Sequence, residues 1–155
     1  MVVNETVKLG LDLHGVITED PEFFSALSSA LLDHGHQVFV VTGREESEEL
    51  HDELKACLME TDQIEIYSSI LSITTYQKKQ GTPVHYLNGD PSQPMMDPKI
   101  WNATKAMLCA TAGIHLMIDD SSLYEPSFQD IKTQYLVYTP EVKELLRFMF
   151  NYGRI

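Results

Sequence analysis

Basic residues are scarce in this chain of 155 residues: 11 lysines and arginines stand against 23 aspartates and glutamates, a formal net charge of −12. A field of that sign repels a nucleic-acid backbone and an anionic membrane surface, so an anionic ligand needs a local cation to hold it. Cysteine is nearly absent. Cys57 and Cys109 stand apart, without the paired spacing of a zinc site or a redox motif, and read as buried thiols in a reducing compartment. Also missing are the basic-then-apolar opening of a secretory signal and any apolar run long enough to span a bilayer. The expectation is a cytoplasmic protein with no membrane partner. No internal repeat, low-complexity tract or linker divides the sequence, which leaves no basis for a second domain.

With 43% hydrophobic residues spread along the chain, one core can bury about two-thirds of the surface the unfolded chain exposes, without a disulfide or structural metal. The apolar run Val7 to Leu13 reads as a buried strand entering a tight turn at His14-Gly15. Asp20-Pro21-Glu22 supplies a cap, a preset proline and a first-turn acid, opening a helix to about Asp33. Gln37–Val41 reads as a second buried strand, and about Glu45–Met59 as an acidic helix whose charges form a solvated face. Between Ile64 and Gln80, β-branched residues compete with helical spacing; a helix is expected. A short strand at Val84–Leu87, a Gly/Pro/Asp-rich loop from Asn88 to Pro98 and a helix over about Trp101–Ala112 follow. The chain closes with strands at His115–Asp119 and Tyr135–Tyr138 and a helix from Pro140 to about Phe150. Alternating strands and helices predict an α/β fold, a Rossmann-like three-layer sandwich with a mainly parallel central sheet.

Ligands of such sheets bind beyond the carboxyl ends of the strands, and those ends carry Asp12, Thr42-Gly43-Arg44 and Asp119-Asp120. Taken singly, each aspartate is adequately explained as a turn or helix cap. Gathered at one edge they would repel one another unless a cation sat among them, and an all-oxygen site suits Mg²⁺.

In order along the chain, Asp12-Leu13-His14-Gly15-Val16-Ile17-Thr18, then Val40-Val41-Thr42-Gly43-Arg44, then a lysine, then Met117-Ile118-Asp119-Asp120-Ser121 resemble the four motifs of the haloacid dehalogenase superfamily, phosphatase branch. The resemblance runs from about Val7 to Tyr138 and rests on order and strand context as well as on residue types. It implies one domain over 1–155, a Mg²⁺-dependent phosphomonoester hydrolase with Asp12 as nucleophile, and a small phosphorylated substrate such as a nucleotide. Thr42, Gly43 and Arg44 would bind the substrate. Asp12, Asp119, Asp120 and the backbone carbonyl of His14 would hold the metal, and a lysine would offset charge. Two lysines compete for that place. A helix entered near Asn102 sets Lys105 in its first turn, whereas one beginning at Pro98 favours Lys99; Lys105 is preferred.

His14 departs from the motif, standing where the resembled phosphatases carry a second aspartate that protonates the leaving group. Imidazole can do acid–base work near neutrality, so His14 joins Asp12 and Lys105 as an expected catalytic residue. The rival is a module that keeps the phosphate and metal pocket without turnover. A phospho-receiver domain would reverse the order of acidic pair and acceptor and is set aside. Members of the superfamily often carry a cap domain. Thr18 to Pro21 leaves no room for one, and 61–97 holds at most a small helical insertion, so selectivity is expected from that loop or from a second copy of the chain in a homo-oligomer. His34, His36 and His51 lack ligand spacing and receive no role, while Tyr86, Met95, Met96 and Trp101 flank the presumed site as core or substrate contacts.

Overall fold

A computed structural model describes residues 5–58 and 64–152. Strand β1 (Lys8–Leu11) is followed by helix α1 (Pro21–Asp33), β2 (Gln37–Thr42), α2 (Glu48–Ala56), β3 (Ser69–Ser72), α3 (Ile73–Lys79) and a two-stranded hairpin of β4 (His85–Tyr86) with β5 (Pro94–Met95). Then come α4 (Pro98–Ala112), β6 (Leu116–Asp119), β7 (Gln134–Val137) and α5 (Pro140–Tyr152). The five long strands form one sheet in the order β3-β2-β1-β6-β7, and every pairing within it is parallel. The expected α/β three-layer sandwich is therefore the observed architecture.

Side chains of a strand alternate between faces, and the two hydrophobic clusters follow that alternation. On one face Leu9, Leu11, Val38, Val40 and Ile118 pack with Phe23, Phe24, Leu50 and Leu54 of α1 and α2, joined by Val142 and Leu146 of α5. On the other, Phe39, Val41 and Met117 meet Ala106 and Cys109 of α4 and Phe128. Gly10 permits the second packing, since a Cβ there would lie 2.9 Å from Met117 Sδ. Both cysteines are buried free thiols, as expected. No helix among the described residues is long and apolar enough to cross a membrane.

Three expectations are corrected. Residues 64–80 are not one helix. A 3₁₀ turn (Ile64–Ile66) leads into β3 and then α3, with the Ser72 hydroxyl accepting from Thr75 N at 3.0 Å to start the helix. The acidic helix begins at Glu48, because the Ser47 hydroxyl caps it, and ends at Ala56; its expected end at Met59 lies outside the described residues. The strand near Val84 pairs only with β5, in a hairpin outside the main sheet.

Candidate active site

The strand order reverses between β1 and β6, because the chain winds outward from β1 to β3 and then returns to the other side of β1. That reversal opens a crevice at the carboxyl ends of the two strands, where ligands of doubly wound sheets bind. Asp12 directly follows β1 and Asp119 ends β6, tied across the sheet by Asp12 N donating to Ile118 O at 3.0 Å. One carboxylate oxygen from each of Asp12, Asp119 and Asp120 lies within 4.8 Å of the others. The expected convergence of the acidic residues is thus seen.

The turn after Asp12 is wide, with Ile17 N bonded to Asp12 O at 3.2 Å and Thr18 N to Leu13 O at 3.0 Å. Gly15 sits in it at φ +90°, and a Cβ there would come within 2.2 Å of Asp120 Oδ2. Only glycine meets both demands. After β2, the Thr42-Gly43-Arg44 turn is braced from β3 and α3: Ser72 Oγ donates to Arg44 O and Thr74 Oγ1 to Gly43 O, each at 2.6 Å. A Cβ on Gly43 would lie 2.3 Å from the Trp101 ring, so the ring of α4 closes directly onto the turn.

Of the two candidate lysines, Lys105 is the one that lies against the carboxylates. Its Nζ donates to Asp119 Oδ2 at 2.5 Å, stands 3.6 Å from Asp12 Oδ1 and lies 4.3 Å from the centre of the Tyr124 ring. The reason given by the sequence needs correction. α4 begins at Pro98, capped by Asp97 accepting from Lys99 N at 2.8 Å, so Lys105 belongs to the second turn while Lys99 is exposed. What places Lys105 inside is its position in the buried stripe of α4 with Thr104 and Cys109.

The electrostatics follow from burial. Asp119 is fully buried; besides Lys105 it accepts from Ser121 N at 2.9 Å. Burial pushes the Asp12 carboxyl up to about 7, against the pull of Lys105 and with the repulsion of Asp119 and Asp120. For Lys105 burial works against the charge, yet Asp12 and Asp119 outweigh it and hold the ammonium well above its usual value. One lysine cannot neutralise three carboxylates. The donor set is oxygen only, and Gly15 leaves the room a side chain would fill beside Asp120. These features fit a hard divalent cation.

A cavity of about 270 Å³ opens at this centre, lined by Asp12, Thr42, Lys105, Asp119 and Asp120 and by Ser92, Gln93 and Pro94 of the hairpin. His14, Gly43 and Arg44 also line it, so all eight expected site residues border one space. Trp101 and Tyr124 complete the wall, joined by a bond of 2.6 Å from the indole Nε1 to the phenol oxygen. Of the other flanking residues, Tyr86 donates to Glu45 Oε2 at 2.9 Å, and Met95 and Met96 border a separate apolar pocket with Ile100. Sequence reasoning missed the bracing Ser72 and Thr74, the ring of Tyr124 and the carboxylate of Glu53.

No protein-family model and no curated protein matches the sequence. Among solved structures, the chain is similar to an uncharacterized protein from Corynebacterium glutamicum ATCC 13032 Kitasato, with a TM-score of 0.56 and 13% identity over 96% of each chain. The likeness is one of fold. A second similarity is to the core domain of a proposed phosphoglycolate phosphatase from Streptococcus pneumoniae TIGR4, with a TM-score of 0.45 and 12% identity over 92% of this chain and 96% of that one. The first likeness shows fold alone.

Proposed function

We propose that the chain is a Mg²⁺-dependent phosphomonoester hydrolase that works through an aspartyl-phosphate on Asp12. The observation that carries this reading is the convergence of Asp12, Lys105, Asp119 and Asp120 at the reversal of the sheet, beside the Thr42 turn. A carboxylate nucleophile, a fixed cation and a surplus of oxygen donors around a small cavity are what phosphoryl transfer requires.

Asp12, Asp119, Asp120 and the backbone carbonyl of His14 would hold the cation, which when bound supplies positive charge beside the Asp12 carboxylate and the phosphoryl oxygens. The Thr42 hydroxyl, which accepts from Arg44 N at 3.2 Å, and the Gly43 amide donate to the remaining oxygens, and Lys105 offsets charge as it develops. An Asp12 oxygen attacks phosphorus; the ester P–O bond breaks, its electron pair stays on the leaving oxygen, and that oxygen takes a proton from the His14 imidazolium. Water then attacks phosphorus, its proton returns to the imidazole, and the bond to Asp12 breaks to release inorganic phosphate. The substrate class we propose is a nucleotide or another small phosphate ester.

The test is a panel of alkyl and aryl phosphates assayed with Mg²⁺ and with chelator, on the wild type and Asp12→Asn. Turnover that needs both Mg²⁺ and Asp12 is expected, whereas full activity in Asp12→Asn rules out the covalent route. A second reading, a phosphate-binding or regulatory module, is favoured by the histidine at position 14 in place of the usual aspartate. It gains the upper hand if the wild type is inert and His14→Asp is active.

A further inference from the structure

Glu53 lies on α2, on what the sequence presents as a solvated face, yet it meets two side chains of the cavity at once. Its Oε2 is 2.6 Å from His14 Nε2, and its two oxygens accept from Arg44 Nη1 at 2.7 and 2.8 Å. Arg44 Nη1 also stands 3.0 Å from His14 Nε2, which closes a triangle of imidazole, guanidinium and carboxylate. Although burial pushes the Glu53 carboxyl up, hydrogen bonds from Arg44 and His14 hold it below its usual range. The side chain remains 40% exposed and the helix is anchored by buried Leu50 and Leu54, so the fold itself does not depend on this charge.

A bare ring nitrogen and a carboxylate oxygen both present lone pairs, and at 2.6 Å they repel unless a proton lies between them. Arg44 Nη1 spends its shorter contacts on Glu53, so the proton belongs on His14 Nε2. Nδ1 then remains, with no partner among the described residues. We propose that Glu53 is a positioning residue: braced by Arg44, it fixes His14 as the Nε2–H tautomer and leaves Nδ1 as the ring atom that meets the substrate. A hydrogen bond at one imidazole nitrogen decides what the other can do, as in the outer shells of metal-bound histidines. The kinetic consequence of this proposal rests on the hydrolase reading; the tautomer does not.

Two-bond proton–nitrogen correlations of the full chain labelled with ¹⁵N-histidine, at about pH 9 where imidazoles are neutral, read the tautomer directly, with His14→Gln assigning the signal. The wild type should show a protonated Nε2 and a bare Nδ1, Glu53→Ala a mixture of tautomers, and Glu53→Gln, whose carbonyl still accepts, the wild-type pattern. A wild type protonated at Nδ1, or a pattern unaltered in Glu53→Ala, overturns the proposal; a melting curve checks that each variant is folded. In turnover, Glu53→Ala should lower kcat for an alkyl phosphate about tenfold more than for an activated aryl phosphate. KM should change little, and Glu53→Gln should recover part of the loss. Equal losses on both esters contradict the positioning role. If the wild type turns over neither ester with Mg²⁺, the hydrolase reading fails, and the tautomer alone decides the fate of Glu53.

Discussion

On the β6 side of the cavity Lys105 and Asp119 are buried and paired, with Asp120 exposed at the rim. Lys105 is held by Asp119 and Asp12, Asp119 accepts from Lys105 and Ser121, and Trp101 and Tyr124 are bonded to each other. On the β2 side His14 and Glu53 are about two-fifths exposed, and the hairpin that borders the cavity lies outside the main sheet. The more buried half lies where the sheet fixes the backbone, and the more exposed half where loops and the surface of α2 do. On the proposed reading, a site divided this way keeps Lys105 and Asp119 in dry, preorganised surroundings while leaving the side of His14 open to selection.

Substitutions can break that contrast from its strongest point downward. Lys105→Met leaves a fully buried Asp119 without its cation, and loss of one partner from a buried pair costs about 3–5 kcal/mol; urea unfolding in chelator measures it. A cost under about 1 kcal/mol would mean that the β6 side is no better held than an exposed pair. Gly15→Ala forces a side chain onto Asp120 at a positive φ, with an expected loss of about 1–3 kcal/mol. The rise in melting temperature given by Mg²⁺ should shrink with it.

The pair of Asp20 with Arg147 lies outside both halves and serves as a reference. Two hydrogen bonds, at 2.5 and 2.9 Å, join the start of α1 to α5. Hydrogen bonds and charge from Arg147 hold the Asp20 carboxyl below its usual value in spite of burial. A depressed folded pKa adds stability above the unfolded value of about 3.9 and loses it as pH falls through the folded value. Arg147→Met should therefore be less stable at neutral pH, with the difference from wild type fading below about pH 4. An unchanging difference across that range would mean that the pair acts by packing alone. The smallest stability effect belongs to Gln93→Ala at the hairpin tip, expected within about 0.5 kcal/mol of wild type by urea unfolding but with a raised KM.

The same division governs what could be read from the sequence. β1, β2 and β6 are short apolar runs that end in polar motifs, so the strands themselves and the meeting of Asp12 with Asp119 and Asp120 were legible, whereas the strand order was not. β3 was not, because Ser69–Ser72 at the sheet edge is half-buried and its residues fit helical spacing equally well. The hairpin rests on two-residue strands, too short to leave a periodic signal. Lys105 was chosen with a faulty helix start; the usable signal was a lysine in register with the apolar stripe of α4. Glu53 carried a weak trace, lying between Leu50 and Leu54 at the border of the buried face of α2. A charged residue on a helix otherwise says little about what it meets across a loop.

The measurement that bears most directly on the account is a single-turnover reaction with a ³²P-labelled phosphate ester and Mg²⁺, quenched in acid at short times. The account predicts label bound to the wild-type chain, released by hydroxylamine as expected for an acyl phosphate, and absent from Asp12→Asn. Release of inorganic phosphate with no label ever held by the protein, or equal labelling of Asp12→Asn, would contradict it.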